Sequence, residues 1–215
     1  MSTPILYHNL LVLLATLYPV SLPQIATNFI PRQAAKHSNT IYLASSVFVC
    51  TLLLTVSSVL VPLGTINLSI DLPWLLIALA LAPLLIGMEL VVGAVVMKLS
   101  GLGIKGWGVN ANWVKVSGVA FALTLALAVL EELLFRQLWS VILVTNIGLP
   151  FWGFVLISSV AYGFNHLYYG LTTFLQKVAT GVILAMLFWY SGGIIMPIIA
   201  HTLQNAIILI WGRCR

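Results

Sequence analysis

Charge is what this chain has least of. Of its 215 residues, 6% are Asp, Glu, Lys or Arg, against about 25% in an ordinary soluble domain. Only four are acidic: Asp71, Glu89, Glu131 and Glu132. Hydrophobic residues make up 61% and the mean hydropathy is +1.13, which excludes a water-soluble globular fold and leaves a multi-spanning membrane protein. The formal net charge of +5 does not indicate nucleic-acid binding, because the nine Lys and Arg are scattered singly and form no basic stripe. Cysteine is scarce as well. Cys50 lies in an apolar run and Cys214 beside the C-terminus, a pattern that gives neither a disulfide nor a metal framework. The first residues lack the basic n-region and the cleavage site of a signal peptide, so they read as a retained first span, kinked by Pro19 and Pro23. There is no internal repeat, no low-complexity tract and no domain linker.

What is there is long apolar runs. Marked off at about 20 residues per crossing, they predict an all-α, polytopic transmembrane bundle of about seven spans, at roughly 7–30, 41–63, 74–97, 116–139, 151–167, 171–190 and 194–212. The whole of 1–215 then reads as one membrane domain. The longest polar link, "KLSGLGIKGWGVNANWVK", carries interfacial Trp107 and Trp113. Basic residues fall in the first link (Arg32, Lys36), the third (Lys98, Lys105, Lys115) and the tail (Arg213, Arg215), while the second link has only Asp71. Seven spans put every basic link on one side, so the chain is expected in the plasma membrane with its N-terminus outside and its C-terminus cytoplasmic. Lys177, near the start of the sixth span, is expected to snorkel to that cytoplasmic side.

Against this background the stretch "AVLEELLFRQLW" is anomalous. A charge near the bilayer centre costs about 3 kcal/mol on the gentler scale, so Glu131, Glu132 and Arg136 need partners and a polar cavity. Glu132 and Arg136 are four apart on one helix face, the spacing of an ion pair. Glu131 lies about 100° further round and is left over. Two more polar pairs follow, each at the spacing of one helix face: Tyr162 with His166, and His201 with Asn205. If the fourth, fifth and seventh spans pack together, Glu131, His166, His201 and Asn205 would surround one water or one metal ion with a base, two imidazoles and an amide donor. Each group also has a plainer reading. A lone His or Asn in a membrane helix is more often an interhelical hydrogen-bonding residue, a Glu–Arg pair a helix lock, Tyr162 a packing residue, and the Tyr168–Tyr169 pair an interfacial belt. Glu89 fits either a cavity wall or a bond to a neighbouring helix. His8 and His37, near span ends, need no functional account.

Taken together and in this order, Glu131-Glu132-x-x-x-Arg136, aromatic-x-x-x-His166 and His201-x-x-x-Asn205 resemble the CAAX-protease and bacteriocin-processing intramembrane endopeptidases, also called the abortive-infection family. The resemblance covers the last hundred residues or so, with 116–212 as the catalytic core, and the first three spans carry no signature. It implies cleavage of a peptide bond in a membrane-associated protein or peptide. Residue by residue, Glu131 resembles the base that activates water, His166 and His201 the groups that hold the water or a zinc ion carrying it, Asn205 an oxyanion donor, and Glu132 with Arg136 a supporting pair. Two positions depart from the pattern. Gln137 stands where many members have Gly, and Tyr162 where Phe is usual, which bears on substrate shape.

A zinc ion is compatible with two His and a carboxylate, although the chain has no His-Glu-x-x-His helix motif, and a metal-free glutamate–water mechanism needs the same residues. Two other functions compete. A proton- or ion-coupled transporter would use Glu131, His166 and His201 as a relay, but the paired broken helices of an internal repeat are missing. A non-proteolytic scaffold or immunity protein of the same family would be favoured by loss of a motif residue, and all are present. Straight helices pose one geometric difficulty: they put Glu131 deep, His166 near the cytoplasmic end of its span and His201 nearer the outside.

Overall fold

The computed structural model describes residues 3–27, 29, 38–101 and 117–213. Arg32, Lys36, His37, Lys105, Trp107, Trp113, Lys115, Cys214 and Arg215 lie outside the described residues, as does the side chain of Arg213. Every regular element among the described residues is helical: α1 (Thr3–Thr16), α2 (Ser21–Thr27), α3 (Ser38–Leu60), α4 (Leu72–Leu99), α5 (Gly118–Glu132), α6 (Phe151–Phe164), α7 (Leu171–Ser191) and α8 (Ile195–Arg213). Six stretches are long and apolar enough to cross a bilayer: Ile5–Thr27, Ser38–Leu60, Leu72–Leu99, Gly118–Asn146, Leu171–Ser191 and Ile195–Gly212. With the shorter apolar Phe151–Phe164 they form the expected bundle of about seven, and the chain is an integral multi-pass membrane protein.

Local sequence explains the helix ends that matter. The first span breaks between α1 and α2, where Pro19 lies, because proline cannot donate to the preceding turn. Pro23 sits in the first turn of α2, where no donor is needed. Ser117 caps α5, its hydroxyl accepting from the Ala120 amide at 3.1 Å.

Two lengths differ from the sequence reading. Past Glu132 the α5 helix does not stop near 139. It continues as two wider π-helical turns, Leu133–Leu138 and Val141–Asn146, so Glu131 lies near the middle of the crossing Gly118–Asn146. The α6 helix has only 14 residues, a rise of about 21 Å against a hydrocarbon core of about 30 Å. In the turn that follows it Asn165 is buried and His166 half-buried, while 167–170 are exposed. Here the turn is bonded internally, Tyr169 N to His166 O at 3.0 Å and Gly170 N to Leu167 O at 2.8 Å.

Small residues bring the helices close, as membrane packing favours. A Cβ on Gly163 would stand 2.5 Å from Val178 Cγ2, and one on Gly181 would stand 3.0 Å from the Ser159 Cα, so α6 and α7 touch nearly backbone to backbone. At one end of the bundle the extended link 61–71 is tied down. Asn67 Nδ2 donates to Gly192 O at 2.9 Å, and Gln137 Nε2 donates to Leu63 O at 2.7 Å. The Gln137 amide is thus committed to holding a link.

Gly163→Ala and Gly181→Ala should each lower the melting temperature of the detergent-solubilised protein, overpacking of this kind costing about 1–3 kcal/mol. Gly87→Ala, where a Cβ would meet nothing within 4 Å, should leave it unchanged or raise it. Equal behaviour of the three variants in a thermal melt would contradict this packing.

Candidate active site

Three of the four acids turn into the bundle. Glu132 is fully buried, and its carboxylate serves two partners. Oε2 lies 3.2 Å from Arg136 Nε, an ion-pair distance off the line of a hydrogen bond. Oε1 lies 2.8 Å from His201 Nδ1. The supporting pair is therefore present, and it is joined to α8 by a contact that spacing along one helix cannot reveal. Arg136, also fully buried, donates from Nη2 to Gly181 O at 3.2 Å and places Cζ 4.7 Å from the centre of the Tyr162 ring. The absence of a side chain at Gly181 leaves room for this arrangement.

The hydrogen bonds fix the state of His201. A carboxylate only accepts, so Nδ1 carries the proton toward Glu132. In the neutral ring Nε2 then holds a lone pair, and the Tyr162 hydroxyl stands 3.2 Å from it as its donor. Glu131 Oε2 lies 3.9 Å from the same nitrogen, beyond a direct hydrogen bond. Tyr162, read from sequence as packing, does pack at 0% exposure, but its hydroxyl also belongs to the polar chain Arg136–Glu132–His201–Tyr162. His166 Nδ1 stands 3.2 Å from the Tyr162 carbonyl oxygen, which can only accept, so Nε2 is the nitrogen left for other work.

One cavity of about 230 Å³ joins these groups. Glu131, His166, His201 and Asn205 all line it, together with Asn165, Tyr169 and the apolar Leu43, Ile86, Leu127 and Ile208. The convergence that straight helices made difficult is thus achieved, by the longer fourth crossing and the short α6. Tyr169 is part of this wall as well as of an aromatic pair with Tyr168.

The cavity has a second polar pole that the sequence left open. Glu89 lines it, and its Oε1 accepts from Lys177 Nζ at 2.7 Å, Thr180 Oγ1 at 2.6 Å and Gln204 Nε2 at 3.0 Å. Both readings of Glu89 hold, since it is a wall residue and a clamp joining α4 to α7 and α8. Lys177 corrects the sequence reading. Its ammonium turns inward to Glu89, where an unpaired carboxylate would be costly, and does not snorkel to a membrane surface.

Among the described residues no three His, Cys, Asp or Glu side chains stand close enough to hold one metal ion. His201 meets Glu132 and Tyr162 through its two nitrogens. This arrangement does not fit a His166–His201 zinc site as it stands, and no chemical step is routed through a metal.

Glu131, two histidines and an asparagine thus line one cavity within a multi-pass helical bundle. Residues 112–207 match the family described as Type II CAAX prenyl endopeptidase Rce1-like, so this segment of the chain is similar to that family. No curated protein and no solved structure matches the chain.

Arg136→Ala removes the only cation paired with Glu132 among the described residues. Breaking one partner out of a buried pair costs about 3–5 kcal/mol. The variant should show a clearly lowered melting temperature and poor recovery in detergent, and a fully stable Arg136→Ala protein would contradict the role of this pair.

Proposed function

We propose that the protein is an intramembrane endopeptidase that hydrolyses a peptide bond in a membrane-associated protein or peptide, with Glu131 as the base that activates water. The supporting observation is that Glu131 lines the cavity 3.9 Å from His201 Nε2, while Glu132 is already committed to Arg136 and His201. A water about 2.8 Å from the Glu131 carboxylate reaches His201 Nε2 by sharing that acceptor with the Tyr162 hydroxyl. Glu131 takes its proton as the oxygen attacks the substrate carbonyl. His166, through its free Nε2, shares in holding that water, and the Asn205 amide donates to the developing oxyanion. Glu131 then returns the proton to the leaving amine. Glu132 orients His201 and holds its tautomer without taking part in proton transfer.

The apolar share of the cavity wall suits a lipid-linked or hydrophobic substrate, and the family description points to prenylated CAAX proteins as the first class to test. The basic residues that the sequence places in alternate links support an N-terminus outside and a cytoplasmic C-terminus, and a plasma-membrane location belongs to the same proposal.

With the purified protein and a fluorogenic farnesylated CAAX peptide, Glu131→Gln should lower cleavage at least about a hundredfold, the usual contribution of a positioned base. Its melting temperature should remain that of the parent. Near-normal cleavage by Glu131→Gln would remove the assignment. A chelator such as 1,10-phenanthroline should leave cleavage intact, whereas loss restored by added zinc would establish that His166 and His201 rearrange around a metal.

A further inference from the structure

The α6 C-terminus holds a polar side chain that the fold does not use. Asn165 is 2% exposed, and neither its amide oxygen nor its amide nitrogen has a hydrogen-bond partner among the described residues. An unsatisfied buried amide is destabilising, in a chain that has very few polar groups to place. Three other buried side chains also have atoms without a hydrogen bond, Glu132 at Oε2, Arg136 at Nε and Nη1, and Gln204 at Oε1. All three are otherwise engaged, Glu132 with Arg136 and His201, Arg136 with Gly181, and Gln204 with Glu89, and none lines the cavity. Asn165 alone among the four lines it, directly before His166. The backbone beneath it is held in place, since Gln24 Nε2 donates to the Asn165 carbonyl oxygen at 3.4 Å and the Tyr18 hydroxyl in turn meets Gln24.

We propose that Asn165 is a substrate-binding residue whose side-chain amide pairs with one peptide unit of an extended substrate held beside His166. This rests on the endopeptidase reading above and names how the substrate backbone is gripped. A carboxamide offers one acceptor and two donors, the complement of a peptide N–H and C=O, and a site built to hydrogen-bond discriminates against a ligand that lacks the matching group. Rotation of the covered amide toward the cavity as substrate enters exchanges an unsatisfied group for a satisfied one, so the local cost in the free protein becomes affinity in the complex. The contact fixes backbone register without reading side chains, which leaves selection of the substrate's side chains to the apolar wall.

The test uses the full chain in detergent, in the Glu131→Gln background so that bound peptide is not consumed. The probe is a fluorescent farnesylated CAAX peptide, with binding read by anisotropy. Asn165→Leu and Asn165→Ala should each weaken binding about tenfold, the worth of one hydrogen-bonded pair. Both should melt at or above the temperature of the parent, because an unsatisfied group has been removed; Ala covers the case in which the larger Leu side chain fails to fit. Replacing peptide bonds by esters, one at a time around the cleaved bond, should find one position that weakens binding to the parent and has no further effect on either variant. Equal affinity of the three proteins overturns the proposal, as does an ester penalty that persists in the variants or a melting temperature that falls in both. Cleavage by the protein with Glu131 intact separates this from the endopeptidase reading. Cleavage with unchanged affinity in the variants removes Asn165 alone, Asn165-dependent binding without cleavage removes the peptidase, and no binding to the parent removes both.

Discussion

The Glu132 carboxylate, shut away from solvent between Arg136 and His201, is the interaction on which the rest of the site depends. A buried carboxylate must be matched by cations or donors or it unfolds its surroundings. Here one partner comes from its own helical segment and the other from α8, so satisfying the charge also docks α8 against α5. The same contact decides the tautomer of His201, which directs Nε2 at the Tyr162 hydroxyl and the Glu131 carboxylate. In the proposed mechanism Glu131 is left for chemistry because its neighbour carries the structural work.

Almost all the acidity of the chain is spent in this way. Glu89, Glu131 and Glu132 belong to the cavity or its support, and Asp71 stands exposed at the start of α4. The two poles differ in kind. Around Glu132 the pairing orients a histidine, whereas around Glu89 three donors converge on one oxygen and clamp α4, α7 and α8 together. Since Gln204 follows His201 by three residues, the clamp at Glu89 and the bond at Glu132 hold the same turn of α8 from two sides. A cavity wall fixed in this manner can keep its polar groups aimed while the apolar remainder adapts to a hydrophobic ligand.

Much of this was legible in the sequence, for physical reasons. Charges that cannot be tolerated singly in an apolar helix announce themselves, and the spacing of Glu132 and Arg136 or of His201 and Asn205 is a property of one helix. The end of the fourth crossing was not legible, because nothing in "VILVTN" marks where an apolar helix leaves a bilayer and the π-helical turns depend on neighbours. The end of α6 was not legible either: the helix stops at Phe164, and the polar turn after it brings His166 to the cavity wall. The Lys177–Glu89 pair, the Tyr162 hydroxyl on His201 and the idle amide of Asn165 all depend on contacts between helices far apart in sequence. Length and periodicity carry no record of them.

The central claim is that Glu131 in this cavity makes the protein an endopeptidase acting within the membrane. The most direct measurement is N-terminal proteomics of membranes from cells producing the wild-type chain or Glu131→Gln at equal levels. The account predicts a defined set of new protein termini, in or next to membrane-associated segments, that appear with the wild type and are missing with Glu131→Gln. Identical termini in the two membranes, with both proteins folded and inserted, would contradict it.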